Sequence, residues 1–236
     1  MEKWINMSLD SKIIFFKIML SVFLLLVVAG SGMAASAEYY TPSYALKEAG
    51  TALSVKDEKA FHRFVDCDSL IKNAYDDGSR ELSDNIVLLS ERYPADWFFK
   101  HDTAFMKSYT KAHRKDAIDM AGKVMELYFK GTQKPAVFED NPAAWVASDL
   151  DTYLNETSAE IVVVSLMDGG DRASATIRLH GHGTYGSLLD GVEVSLELKI
   201  SSTGIWQINR ITNPHGLLLP VTDAAEKYWK VSGWED

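Results

Sequence analysis

The spacing of apolar residues changes once along this chain, and that change constrains the fold more than any other feature. Up to residue 157 apolar side chains recur at helical intervals; from 158 to 213 they alternate. Helices first and consecutive strands afterwards, with no strand–helix–strand alternation, is the order of an α+β domain rather than of a parallel sheet. Four strand-like runs follow one another at 159–167, 172–180, 191–200 and 204–212. "DGGD" at 168–171 and "SSTG" at 201–204 have the composition of tight hairpin turns, while "GHGTYGSLLDG" makes a longer middle link. Links this short join antiparallel neighbours, so the runs predict a four-stranded meander. The third run alternates most clearly, with Val192, Val194, Leu196, Leu198 and Ile200 against Glu193, Ser195, Glu197 and Lys199. One face of the sheet is therefore core, and the other is wet or covered by polar groups.

The helical part, 38–157, carries its own punctuation. Thr41 precedes Pro42 as an N-cap before a proline at the first helical position. A second helix starts at Asp57 with Phe61, Phe64 and Val65 as its stripe, and a third, with Leu70, Ile71, Ala74 and Tyr75, is expected to stop near Gly78. Ser83 or Asp84 caps a fourth, which Pro94 ends. The longest is expected over 102–130, where Ile118, Ala121, Val124, Met125, Tyr128 and Phe129 share a face and Gly131 follows. Asn141 and Pro142 open another, carrying Trp145, Leu150 and Tyr153, and a short amphipathic helix over 220–232 closes the chain. The expected architecture is a helical N-terminal half packed on a curved antiparallel meander, with a short C-terminal helix.

The first 37 residues stand apart from that domain. Lys12 and Lys17 precede an apolar run from Ile18 to Val28, and small residues then lead to Ala35, Ser36 and Ala37. Basic, apolar, then A-x-A is the layout of a secretory signal peptide, with cleavage expected after Ala37 and a single domain over 38–236. The run is shorter than the roughly 20 residues a spanning helix needs, although an uncleaved N-terminal anchor is the alternative. The expected location is the periplasm or cell envelope, with membrane contact only through this segment if it stays attached. Removing it takes three cations (Lys3, Lys12, Lys17) and two anions (Glu2, Asp10), leaving a chain slightly more negative than the −9 of the whole. Acidity without a basic cluster argues against nucleic acid as a partner. With Cys67 as the single cysteine there is no internal disulfide, so the core must hold an exported chain together unaided. The carboxylates beside Cys67 in "VDCDSL" oppose thiolate formation and favour a buried packing role.

No reaction is written in the sequence. His180 and His182 are two apart, a spacing that puts both imidazoles on one strand face, and His215 or Asp190 would be needed to complete a metal set. Both histidines extend the polar face of the second run beside Arg178, so a polar hairpin end is preferred and no metal or other cofactor is expected. His62, His101 and His113 lie scattered in helical stretches. "DGGD" lacks the ligand ladder of a calcium loop, and the carboxylate pairs in "DCDSL" and "YDDG" read as caps and solvated turns. Arg210 is placed on the face of Trp206 and Ile208, where it would pair with a helix carboxylate in preference to binding an anion. Asn155, Glu156 and Thr157 form a glycosylation acceptor that matters only in a eukaryotic secretory pathway. No catalytic residue is assigned.

Two resemblances add to this reading. Pro42, Tyr44, Leu46, Asp57, Phe61, Val65 and Asp66 match the opening of an uncharacterised family of bacterial envelope proteins, a domain of unknown function. Cys67 stands where that family is usually apolar, and the family carries no known activity. The C-terminal pattern ending "GIWQINRITN" is similar to the last strand of the nuclear-transport-factor-two-like superfamily. That resemblance implies a cone-shaped α+β domain whose sheet and helices enclose a pocket. The superfamily's isomerases use a pocket Asp and a Tyr donor, neither of which matches a position here. The expected function is therefore a non-catalytic module binding a small apolar ligand or an envelope protein. A pocket enzyme of isomerase or hydrolase type is the alternative, and a homodimer formed through the sheet is a third.

Overall fold

The computed structural model describes residues 41–232. Ala35 and Ala37, and with them the expected cleavage site, lie outside the described residues. Helices α1 (Pro42–Ser54), α2 (Glu58–Phe64), α3 (Cys67–Asp84), α4 (Ile86–Arg92), α5 (Thr103–Phe129) and α6 (Pro142–Asn155) precede the sheet. Strands β1 (Thr157–Leu166) and β2 (Arg172–Gly181) follow, then the single turn α7 (Gly183–Gly186), β3 (Glu193–Ile200), β4 (Trp206–Ile211) and α8 (Pro214–Val231). The strands pair in chain order, each antiparallel to the next, so the fold is α+β with a meander.

Local chemistry sets most of the boundaries. The side chains of Thr41, Asp57, Asp66, Asp102 and Asn141 each accept from a backbone N–H in the first turn of the helix they precede, satisfying a donor with no intrahelical partner. Gly131, at φ 64°, ends α5 in the left-handed region, and Thr132 N–H reaches back to the Leu127 carbonyl at 3.1 Å. Three helix boundaries differ from expectation, one being the start of α4, where Ser83 and Asp84 belong to α3 and Asn85 takes the cap position without a side-chain bond. Helix α3 runs through Gly78 to Asp84, because Tyr75 before the glycine and Leu82 after it are both buried on one face. That packing outweighs the roughly 1 kcal/mol glycine costs a helix interior. Helix α8 begins at Pro214 rather than near 220 and carries Pro220 inside it, with Leu217, Leu218 and Val221 buried around that proline.

The inner face of the sheet is packed. Ala173, Ala175, Ile177 and Leu179 of β2 and Val194, Leu196 and Leu198 of β3 are at most 2% exposed. They belong to one apolar cluster with Leu46 and Ala49 of α1, Ala147 and Tyr153 of α6 and Tyr228 of α8. Alanines on α1 and α6 line the faces those helices turn to this cluster. Helix α5 packs against α3 and α6, and the Tyr128 hydroxyl ties it to α1 by donating to the Leu53 carbonyl at 2.7 Å. Among the described residues no helix is long and apolar enough to cross a membrane.

The two edges of the sheet are treated differently. Beside β4, Val65 forms a parallel bridge with Ile208, Asp66 N–H donates to the Ile208 carbonyl at 2.9 Å and Asn73 Nδ2 to the Asn209 carbonyl at 3.1 Å. Beside β1 stands a run of exposed apolar side chains, Val162, Val163, Leu166 and Met167, interrupted by a bulge between Ile161 and Val163.

Candidate functional site

Helices α3 and α5 face each other along residues three and four apart, the spacing that stacks side chains on one helical face. Tyr75, Asp76, Ser79, Arg80 and Ser83 from α3 meet Lys107, Thr110, Lys111 and Arg114 from α5 around a groove of about 280 Å³. Serine and threonine are short, so their side chains leave space between the two helices unfilled. The long cations form the rim. Arg114 grips Asp76 with two bonds of 2.7 Å, and Lys107 lies 3.2 Å from Asp84. Arg80 donates to Asp77 at 2.5 Å. Lys111 is exposed and has no partner among the described residues.

The hydroxyls beneath the rim are not equivalent. Thr110 Oγ1 donates to the Met106 carbonyl at 2.8 Å and Ser83 Oγ to the Ser79 carbonyl at 2.8 Å, both within their own helices. Tyr75 Oη donates across the groove to the Thr110 carbonyl at 2.7 Å. Burial, with the charge of Asp76 and the neighbouring Tyr109 adding to it, pushes the Tyr75 phenol up to about 12. Ser79 Oγ is shut from solvent and meets no hydrogen-bond partner. The Tyr75 oxygen lies beside it, donating its own proton to Thr110 while its lone pairs face the Ser79 hydroxyl.

Asp77 connects this groove to the sheet. Its side chain is buried and accepts from Arg80 on one side and from Arg210 of β4 on the other, the latter through contacts of 2.8–3.0 Å. Arg210 therefore pairs with a helix carboxylate, as expected, but from the other face of its strand. Leu198 pairs with Ile208 and Glu197 with Arg210, so Asn209 is an extra residue that turns Arg210 away from Trp206 and Ile208. Asp77 is correspondingly a buried ion-pair member and not a solvated turn residue, whereas Asp66 is a cap.

The stretch "GHGTYG" folds onto the end of α6. Glu156 Oε2 accepts from the backbone N–H groups of Tyr185 and Gly186 at 2.7 and 2.9 Å, and the Glu156 carbonyl accepts from His182 N–H at 2.9 Å. The approach is so close that a Cβ on Gly186 would lie 2.2 Å from the Glu156 carbonyl oxygen, and one on Gly181 would lie 1.9 Å from that of Gly186. Above this sits Asp149, whose buried carboxylate accepts from Tyr228 Oη at 2.6 Å, Tyr185 Oη at 3.3 Å and Lys134 Nζ at 2.6 Å. Burial, then the charge of Asp149, drives both phenols well above their ordinary value. A carboxylate with three donors around it is a strut between α6, α7 and α8 more than a free base.

The histidines are placed apart. His180 is exposed and contacts Glu160 of β1 at 3.0 Å, and His182 is exposed and held by its backbone. His215 lies in the first turn of α8, 2.9 Å from Glu81, and Asp190 accepts from Gly181 N–H. Among the described residues no three His, Cys, Asp or Glu side chains gather as a metal site. His101 and His113 instead join an aromatic ladder along α5, with His101 stacked on Phe105 at 3.8 Å and Tyr109 beside His113 at 4.3 Å. Cys67 is partly buried against the core, and burial, then the charges of Asp66 and Asp68, pushes its thiol up to about 12.

Sequence reasoning missed the groove because its halves come from helices whose ion-paired members, Asp76 and Arg114, stand 38 residues apart. The available signal was the i, i+4 run of small hydroxyl residues at Ser79 and Ser83, opposite Lys107, Lys111 and Arg114. No protein-family model, no curated protein and no solved structure matches this chain.

Proposed function

We propose that this protein is an exported, non-catalytic binding module of the cell envelope, and that the groove between α3 and α5 is its ligand-contacting surface. One observation carries the reading. The groove is a concave space of about 280 Å³, just below the ordinary size range of ligand pockets, lined mostly by the apolar stems of its polar side chains with their charged ends at the rim. The most engaged buried carboxylates elsewhere, Asp149 and Asp77, are each held by two or more donors, which suits structural struts. The signal-peptide layout of the first 37 residues supports export.

Native mass spectrometry of the protein recovered from its own envelope, beside a denaturing spectrum, tests this directly. The expected result is a chain beginning at Glu38 with a reproducible non-covalent small-molecule adduct. Lys111→Trp, which places a large side chain over the groove from an exposed position, should remove that adduct. An adduct that survives the substitution would overturn the assignment of the groove.

A further inference from the structure

We propose that two copies of this chain pair through β1, antiparallel about a two-fold axis at Ser165. The surface lies apart from the groove between α3 and α5, so the inference stands whether or not that groove takes a ligand.

The core is finished at the middle strands but not at this one. The inner-face residues of β2 from Ala173 to Leu179 and of β3 from Val194 to Leu198 are at most 2% exposed. On β1, Ile161 and Val164 are half-buried, and Leu166, opposite the buried Ala173, is 64% exposed. The outer face of the same stretch is apolar too, with Val163 opposite Thr176 and Met167 opposite Arg172, both exposed. Val162, Val163, Leu166 and Met167 fall within six consecutive residues, whereas the other exposed large apolar side chains lie elsewhere singly or as one adjacent pair. A concentration of that kind marks an interaction surface.

The occupant this border calls for is a strand that is apolar on both faces and uncharged. Ile161 to Met167 is itself such a stretch. Strands β2, β3 and β4 each carry charged side chains and are already paired, so β1 of a second copy is the segment of this chain that fits. Two copies with a net charge of −9 repel at a distance, and a contact between them has to keep carboxylates apart.

Backbone geometry and charge together fix the register. Met167 N–H donates to the Arg172 carbonyl at 2.9 Å, so by alternation Ser165 and Val163 also turn their backbone groups to β2. Val164 and Leu166 turn theirs to the open side. Pairing about Ser165 sets Val164 against Leu166 of the second copy and Leu166 against its Val164, each pair exchanging two hydrogen bonds. Val163 then meets Met167 of the second copy on the outer face, and two four-stranded sheets become one of eight. Glu160 lies against the glycines of the other copy's hairpin, Gly169 and Gly170. A slide that puts Val164 on the axis carries Glu160 towards Asp168, and the opposite slide seats Asp168 against Val164. Both cost more than pairing about Ser165.

Sedimentation and cross-linking of the chain recovered from the envelope test the proposal. Two paired strands bury less than the roughly 1,200 Å² of a standard interface, so the expected result is a reversible dimer that dissociates on dilution. Raising salt should strengthen it, because screening removes the repulsion between two acidic chains. Leu166→Lys, at an exposed position, should weaken association roughly tenfold or more and leave the fold intact by circular dichroism. Ser165→Cys should give a covalent dimer under mild oxidation, since residues facing each other across the axis stand about 4.5 Å apart at Cα, within disulfide reach. Ser174→Cys, on β2 beside Ser165 and also exposed, stands three strand spacings, about 14 Å, from its twin and should not. The unaltered chain, whose one cysteine is Cys67, is the baseline. A chain that stays monomeric at every concentration, equal cross-linking at the two positions, or a dimer untouched by Leu166→Lys overturns the proposal. So does a thiol introduced at position 165 that is captured in the envelope by a different protein and not by a second copy.

Discussion

The Tyr228 hydroxyl donates to Asp149 Oδ2 at 2.6 Å, joining α8 to α6 across 79 residues of chain. Both groups are buried, and Lys134 and Tyr185 complete the shell around the carboxylate. Tyr228→Phe removes one donor and leaves two, so it should cost about 1–3 kcal/mol. Asp149→Ala strands Lys134 and two phenols together and should cost about 3–5 kcal/mol. Urea unfolding of the two variants checks the order. A smaller loss for Asp149→Ala than for Tyr228→Phe would mean the carboxylate is not the hub.

Glycine substitutions should split by location. Gly186→Ala drives a methyl to within 2.2 Å of the Glu156 carbonyl oxygen and should be among the most damaging single changes, above roughly 3 kcal/mol. Gly122→Ala, inside α5 with nothing within 4 Å of the new methyl, should stabilise by about 0.5–1 kcal/mol. Thermal melting of the pair reads both signs in one experiment.

Cys67 should be inert in the folded protein. Its thiol is raised from 9.0 to about 12, so the fold prefers the protonated form. The sign follows: the contribution of this group is complete below pH 9 and is lost as pH rises from there towards 12. Iodoacetamide at pH 8 should label the denatured chain within minutes and the native chain far more slowly. Equal labelling rates would show the thiol to be open to solvent.

The exposed run on β1 predicts association on heating. Val163 pairs with Thr176 on the outer face and is 50% exposed; Leu166, at the strand end, is 64% exposed. The part of this edge strand from Ile161 onwards is apolar and carries no charge, which makes it a template for pairing with another chain. Val163→Lys should lower light scattering during a thermal ramp while changing stability by no more than about 0.5 kcal/mol. Unchanged scattering would place the sticky surface elsewhere.

The elements most legible in the sequence are those whose signals are local. Thr41, Asp57, Asp102 and Asn141 each announce a helix by their own cap chemistry, and the alternation in β2 and β3 names the buried face residue by residue. What escaped were places where distant packing overrides a local preference. Gly78 reads as a stop, yet Tyr75 and Leu82 carry the helix past it. Pro220 reads as a start, yet the buried leucines before it are already helical. One extra residue at Asn209 sends Arg210 to the opposite face, and no alternation pattern marks where a bulge falls. The groove is the extreme case. Ser79 and Lys111 acquire meaning only once α3 and α5 lie side by side.

The segment that links α2 to α3 does more for this protein than connect helices. By bonding to Ile208 it occupies the β4 border of the sheet, so the β1 border is the one left for strand addition. A sheet open on both sides has a valence of two and can grow into a fibre; a sheet open on one side has a valence of one. Any pairing of two copies through β1 consumes both open borders in a single two-fold contact, and growth by that route stops at the pair.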